Sequence, residues 1–324
     1  MPVNDEPAYR APFPWFSGHL QTMASGLSRR SADVQYVRER IDTPDGDFLD
    51  LDWARKSSAS LVVIAHGLEG HSRRPYVLGM ARAFNSSGYD ALAWNFRGCS
   101  GEPNRLLRSY HSGCSDDLQC VIEHVLEHKA YDTITLVGFS LGGNICLKYL
   151  GEQGAQVPKS IVAAVALSVP CDLRASALRV AEWSNRLYLR RFLRTMRQKI
   201  RDKDRIMPGK LNLDGLEQLR DFGEFDDRFT APLNGFANAE EYWRQCSSRQ
   251  FLDRIRLPTL IINARNDPFL APACFPVEEA MASEHVCLEM PRQGGHVGFP
   301  DRGGGEHYWS EKRALEFAQE RTGI

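Results

Sequence analysis

The segment Val137-Gly138-Phe139-Ser140-Leu141-Gly142-Gly143 joins a β-branched run, Asp132-Thr133-Ile134-Thr135-Leu136, to an apolar helical pattern that begins near Asn144. Strand, Gly-x-Ser-x-Gly and helix in that order constrain the fold severely. The turn must be so tight that only small residues fit on either side of the serine. The serine itself is lifted to the end of a parallel strand, with its hydroxyl free. The letters alone would be weak, but in this context they imply a nucleophilic serine at position 140.

The surrounding pattern supplies the sheet that such a turn needs. Strand-like stretches at Val34–Ile41 and Phe48–Trp53 flank a turn at Pro44-Asp45-Gly46-Asp47. Continuous apolar strands at Ser60–Ala65, Tyr89–Asn95, Thr133–Val137 and Ile161–Leu167 then alternate with helical patterns at Arg74–Phe84, Asp116–Glu127 and Asn144–Leu150. This alternation predicts a mostly parallel central sheet covered by helices on both faces. From about Asp172 to Arg254 it lapses into a charged, aromatic, helical stretch. It resumes with a strand at Pro258–Ala264, a helix around Cys274–Ala282, a strand at His285–Met290 and a helix from about Glu306 to Arg321. The expected organisation is an N-terminal arm and first core portion over 1–171, an inserted helical cap over 172–254, and the rest of the core over 255–324. Such an insertion would lie over the carboxyl ends of the strands, where ligands bind in sheets of this kind. Residues 1–30, rich in proline and aromatics, are expected to be irregular and to pack by their rings.

Composition removes several classes of function. The 324 residues carry a net charge of -1, which gives no global reason to expect nucleic acid as a partner. Eight scattered cysteines without a C-x-x-C pair point to a reducing, cytoplasmic setting, and Cys120, Cys146 and Cys287 sit in apolar surroundings where cysteine acts as a small hydrophobe. No segment approaches 18 uncharged apolar residues, and the first twenty lack the apolar core of a secretory leader. Arg190, Arg191, Arg194, Arg197, Lys199, Arg201, Lys203 and Arg205 form a basic stretch, read as a solvated helix face. With Trp15 and Phe16, it offers the alternative of weak contact with anionic lipid headgroups.

A serine nucleophile needs a base and a group that fixes that base. Asp267 follows the strand at 258–264 within Arg265-Asn266-Asp267-Pro268-Phe269. His296 follows the strand at 285–290 within Gly294-Gly295-His296-Val297-Gly298. Ser, Asp, His is the chain order this architecture uses. Oxyanion donors are expected from the backbone N–H groups of Leu141 and of Leu68, the latter in Ala65-His66-Gly67-Leu68-Glu69-Gly70. His66 reads chiefly as a brace for that loop, and with Phe139 it is also a candidate to face the substrate. His111 could reach the pocket instead of only bonding its own loop. Asn95-Phe96-Arg97-Gly98 lacks phosphate-loop spacing and reads as a support for the site floor. Neither a metal nor a cofactor is needed.

With these residues placed, the chain resembles the α/β-hydrolase superfamily, and within it the YheT-like branch that includes ABHD-type lipid hydrolases. Pro14-Trp15-Phe16-Ser17-Gly18-His19-Leu20-Gln21-Thr22, His66-Gly67-Leu68-Glu69-Gly70, Asn95-Phe96-Arg97-Gly98 and Tyr110-His111-Ser112-Gly113 look like blocks of that branch. So do the serine turn through Asn144, Asn266-Asp267-Pro268-Phe269, Gly294 to Phe299, and Asp226 to Pro232 followed by Gly235-Phe236. The resemblance implies an α/β-hydrolase fold with Ser140 as nucleophile, Asp267 orienting and His296 as base, acting on small-molecule carboxylic esters or lipids. Thioester hydrolysis, acyl transfer to an alcohol, and a non-catalytic scaffold that keeps the residues remain alternatives.

Overall fold

The structure is a computed structural model that describes residues 2–5, 7, 9–27, 33–301 and 308–322. Among the described residues nine strands form one sheet: β1 (Val3–Asn4), β2 (Val37–Asp42), β3 (Phe48–Ala54), β4 (Ser60–Ala65), β5 (Asp90–Asn95), β6 (Thr133–Phe139), β7 (Ile161–Leu167), β8 (Thr259–Ile262) and β9 (Val286–Glu289). Their spatial order is β1-β9-β8-β7-β6-β4-β5-β3-β2. Only β3 runs against the rest, pairing antiparallel with both β2 and β5.

Alternation along the strands divides the core. In β4, Leu61, Val63 and Ala65 join the cluster that holds Val121 and Val125 of α3 (Ser115–His128) and Ile145 and Tyr149 of α4 (Leu141–Gln153). Val62 and Ile64 join the opposite cluster, with Met80 and Phe84 of α2 (Pro75–Ser86) and Phe317 of the C-terminal helix at Trp309–Thr322. A strand buried on both faces reads as an unbroken apolar run, which is why the core strands were visible in the sequence.

Two elements depart from expectation. The N-terminal region, expected to be irregular, contains β1 at the sheet edge beside β9 and α1 (Gly18–Leu27). The helix expected around Cys274–Ala282 is split into a 3-10 turn at Pro272–Cys274 and a short helix at Val277–Ala282. Pro276, which has no N–H to give a continuing helix, stands at the break. The last helix begins at Trp309; Glu306, its expected start, lies outside the described residues.

Between β7 and β8 the chain is helical: α5 (Leu173–Ala181), α6 (Arg186–Ile206), α7 (Phe222–Phe225), a π-helical turn at Asp226–Thr230, α8 (Ala231–Leu233) and α9 (Ala239–Cys246). Two clusters of its own, one around Leu189, Leu193, Phe225 and Phe229, the other around Tyr242 and Trp243, hold it together. The following 3-10 segment, Ser248–Arg254, sends Leu252 into the sheet-side core. Lys199 and Lys203 of α6 turn inward. Lys199 Nζ lies 3.0 Å from Glu69 Oε1, and Lys203 Nζ donates to the carbonyls of Asn104 (3.0 Å) and Leu106 (2.5 Å). These ties fasten the layer over the loops that leave β4 and β5. The basic stretch is therefore not wholly a solvated face, although Arg190, Arg191 and Arg194 are exposed.

Candidate active site

The turn after β6 is as tight as its sequence requires. Ser140 sits at φ 53° and ψ -117°, a region that side chains rarely adopt, and α4 begins at the next residue. A Cβ on Gly142 would lie 2.5 Å from the carbonyl oxygens of both Ala65 and His66, so the elbow packs directly on the end of β4. A Cβ on Gly67 would come 3.3 Å from Ser140 Cβ, which sets the loop after β4 beside the serine.

Asp267 and His296 arrive from the loops that follow β8 and β9. Asp267 Oδ2 is 2.8 Å from His296 Nδ1, and its other oxygen accepts the Phe269 N–H at 2.8 Å. His296 Nε2 is 2.9 Å from Ser140 Oγ. The Asp267 side chain has no exposed area, whereas the imidazole keeps 11% of its own. A carboxylate so placed fixes the imidazole tautomer with Nδ1 protonated and leaves Nε2 to accept the serine proton. The structure thus brings Ser140, Asp267 and His296 into one hydrogen-bonded chain across the carboxyl ends of three strands.

The loop carrying Leu68 is held on several sides. Gly67 N–H donates to Tyr76 Oη (3.1 Å), Glu69 N–H donates to Tyr110 Oη (3.1 Å), and Arg74 Nη2 donates to the Glu69 carbonyl (2.7 Å). Leu141 opens α4, where the first N–H groups have no intrahelical acceptor and the positive end of the helix dipole lies. Its side chain is only 5% exposed and packs in the core, so any contribution to a ligand comes from its backbone.

Two candidate substrate-facing residues are corrected by burial. His66 is fully buried. Its Nε2 accepts the Phe96 N–H (3.2 Å) while Nδ1 donates to the Gly67 carbonyl (2.8 Å), and burial pulls its pKa down to about 3, so it is a neutral brace. Phe139 is 1% exposed and packs edge-on against Tyr76 at 4.8 Å within the core. Neither ring presents a face to a ligand. His111 is also buried, its ring between Phe236 and Tyr242, with Nδ1 accepting the Gly113 N–H. The Asn95–Gly98 loop, expected to support the site floor, bonds His66 through the Phe96 N–H. Arg97, itself buried, donates to buried Asp117 (2.7 Å) and Asp47 (3.2 Å) and to exposed Asp45 (2.9 Å).

Other residues that shape the site were given no role in it by the sequence. Phe269 lays its ring 4.5 Å from the His296 imidazole and meets Tyr188 of α6 at 4.9 Å, joining the site to the apolar interior of the helical layer. Asn185 Nδ2 donates to the Pro268 carbonyl (2.7 Å) and Ser176 Oγ to the Phe269 carbonyl (3.0 Å), so the acid loop is gripped from above. At its side, Gln21 and Thr22 of α1 bond the loops that carry Asp267 and His296. The only available signal was the polar ending of the Pro14–Thr22 motif, whose partners lie far away in the chain. Among the described residues no group of three or more His, Cys, Asp and Glu side chains could hold a metal ion.

Sheet order and site geometry agree with comparison to known proteins. The family model described as alpha/beta hydrolase fold matches residues 60–302. The chain belongs to the α/β-hydrolase family. Among α/β hydrolases it is 38% identical to YheT of Escherichia coli (strain K12) over 287 residues, 87% of this chain and 84% of that protein. It is 31% identical to phospholipase ABHD3 of Mus musculus over 310 residues, 92% of this chain and 74% of that one. The esterase Pf2001 of Pyrococcus furiosus superimposes with a TM-score of 0.61, covering 98% of this chain and 97% of its own; at 17% identity that likeness concerns the fold. The match spans the serine, aspartate and histidine loops alike, which makes the chain an α/β hydrolase of the esterase and lipase type.

Proposed function

We propose that this α/β hydrolase cleaves carboxylic esters of hydrophobic acyl groups through a Ser140–His296–Asp267 triad and an acyl-enzyme. The observation that carries the reading is the position of His296, 2.9 Å from Ser140 Oγ on one side and 2.8 Å from Asp267 on the other. Ser140 Oγ attacks the ester carbonyl as His296 Nε2 takes its proton. The N–H groups of Leu68 and Leu141 hold the tetrahedral oxyanion, and His296 then returns the proton to the leaving alcohol. Water, activated by the same imidazole, releases the acid. Asp267 keeps the imidazole oriented and stabilises its charged form.

The hydrophobic acyl preference is supported by the aromatic surroundings of His296. Phe269, Tyr188 and Phe192 form a chain of rings that leads from the imidazole into the apolar interior of the helical layer. A relative named a phospholipase agrees with a lipid-like ester. The test is hydrolysis of p-nitrophenyl esters from acetate to palmitate by the wild type and Ser140→Ala. The expected outcome is turnover by the wild type that rises with chain length and is absent in a folded Ser140→Ala. Equal turnover in the two proteins would exclude Ser140 as nucleophile.

Weak contact with an anionic lipid surface forms part of this reading. Trp183, in the 3-10 turn just before α6, is 75% exposed, and Leu187 in the first turn of α6 is 69% exposed on the same helical face as exposed Arg190, Arg191 and Arg194. Arg186 stacks over Trp183 at 4.2 Å. Exposed aromatics among cations match a membrane interface, which offers apolar chains below negative headgroups.

A further inference from the structure

The polar groups of α1 reach both loops of the acid–base pair. Gln21, fully buried, accepts on Oε1 from Asn266 Nδ2 (2.9 Å) and from the Gly294 N–H (2.8 Å), while its Nε2 donates to the Trp15 carbonyl (2.7 Å). Asn266 precedes Asp267, and Gly294 lies two residues before His296. Asn266 completes a ring by accepting the Gly295 N–H on Oδ1 at 3.0 Å. The next residue of α1 takes hold of the base itself: Thr22 Oγ1 accepts the His296 N–H at 2.9 Å and donates to the Gly18 carbonyl at 2.7 Å.

Backbones approach closely at the same place. A Cβ on Gly18 would overlap the Asn266 carbonyl oxygen, and one on Gly295 would lie 2.6 Å from the Gly18 carbonyl oxygen and 2.7 Å from Thr22 N. Gly295 also holds φ +61°, a conformation that glycine adopts without strain. Helix α1 is thus wedged against both loops, with one amide oxygen shared between them. The Asp267–His296 and Asn266–Gly295 hydrogen bonds join two loops that leave different strands; the Gln21 oxygen bonds both loops by a further route that does not pass through the Asp267–His296 bond.

We propose that Gln21, assisted by Thr22, is a positioning residue that fixes the acid loop and the base loop in register, so that His296 meets Asp267 and Ser140 together. The proposal rests on the triad reading given above, and goes beyond it in assigning a role to the N-terminal arm. An amide meets the need because it accepts twice and donates once in a dry setting. A leucine of similar size fills the space but leaves the Gly294 N–H and the Asn266 amide without their acceptor. A glutamate kept protonated by burial restores the shared acceptor and can donate its O–H to the Trp15 carbonyl.

The test compares wild type, Gln21→Leu, Gln21→Glu and Thr22→Val in ester turnover and in one-dimensional proton NMR. The downfield Nδ1 proton of His296, assigned by its loss in Asp267→Asn, reads the Asp267–His296 bond without any substrate. Gln21→Leu should lower kcat roughly 10- to 100-fold, as expected for small displacements of a reacting group, with KM changed less than about twofold. The Nδ1 resonance should broaden or vanish, and Gln21→Glu should recover most of both signals. A folded Gln21→Leu with wild-type kcat and an unchanged resonance overturns the proposal, as does a Gln21→Glu that falls as far as the leucine variant. Should Gln21→Leu fail to fold, Thr22→Val carries the test: a smaller fall in kcat with a shifted resonance supports the role, and neither change overturns it. If the wild type shows no Ser140-dependent turnover but the resonance is lost in Gln21→Leu, the catalytic reading fails and the positioning role stands.

Discussion

Ser140 holds a conformation that its residue type disfavours, at φ 53° and ψ -117°. Such strain costs on the order of 1–3 kcal/mol and persists because the packing around it leaves no alternative. The usual ranking of substitutions should therefore invert there. Glycine is ordinarily worse than alanine by roughly 0.5–1 kcal/mol through the unfolded chain, yet it alone relaxes at positive φ. Ser140→Gly should be more stable than Ser140→Ala by about 1 kcal/mol in urea unfolding. The reverse order would show that the elbow stores no strain. The three residues of the hydrogen-bonded chain were legible in the sequence because local turn chemistry announces each of them: glycines around Ser140 and His296, Asp-Pro after a strand at Asp267. Gln21, Thr22 and Asn185 were not, because a polar side chain in a short helical segment carries no mark of the backbone it will meet. His66 and Phe139 were misplaced for a related reason: adjacency to the site in sequence does not say which face of a strand end a ring takes.

At the scale of elements, the π-helical turn at Asp226–Thr230 buries a carboxylate inside the helical layer. Asp226 accepts from Trp243 Nε1 at 2.9 Å, but burial dominates and pushes its pKa up to about 7. The folded protein thus keeps a proton that the unfolded chain gives up above about pH 4. Stability should fall as pH rises from about 4 to about 7 and then level off, by a few kcal/mol at most. Asp226→Asn keeps an oxygen for Trp243 and has nothing to ionise, so its Tm should gain on wild type between pH 5 and pH 8. Parallel Tm profiles would show that the carboxylate is ionised throughout. Elements were readable where burial is two-sided, as in β4 to β7, and less so where tertiary contacts decide. Two residues, Val3 and Asn4, form a strand only because β9 offers its edge. Likewise α1 has little apolar periodicity and is held chiefly by the loops it wedges against.

For the whole molecule, charge is balanced overall yet uneven in space. Among the described residues no helix is long and apolar enough to cross a membrane, so any lipid contact must be made by the surface. Vesicles containing phosphatidylserine should bind the protein at low salt, and release it as salt rises past the point where screening shortens to about 8 Å. Arg190→Glu with Arg191→Glu should abolish that binding, and Trp183→Ala should weaken it without altering its dependence on salt. Equal affinity for neutral and anionic vesicles would remove the electrostatic part of the reading. The wedge of α1 has a consequence in time as well as in space. The bond from Gln21 to Gly294 spans 273 residues, so the arm is synthesised long before its partners. A growing chain can assemble the elbow and the strands before it, yet Asp267 and His296 cannot meet until the loops that carry them emerge. The order of synthesis thus closes this hydrogen-bonded chain late.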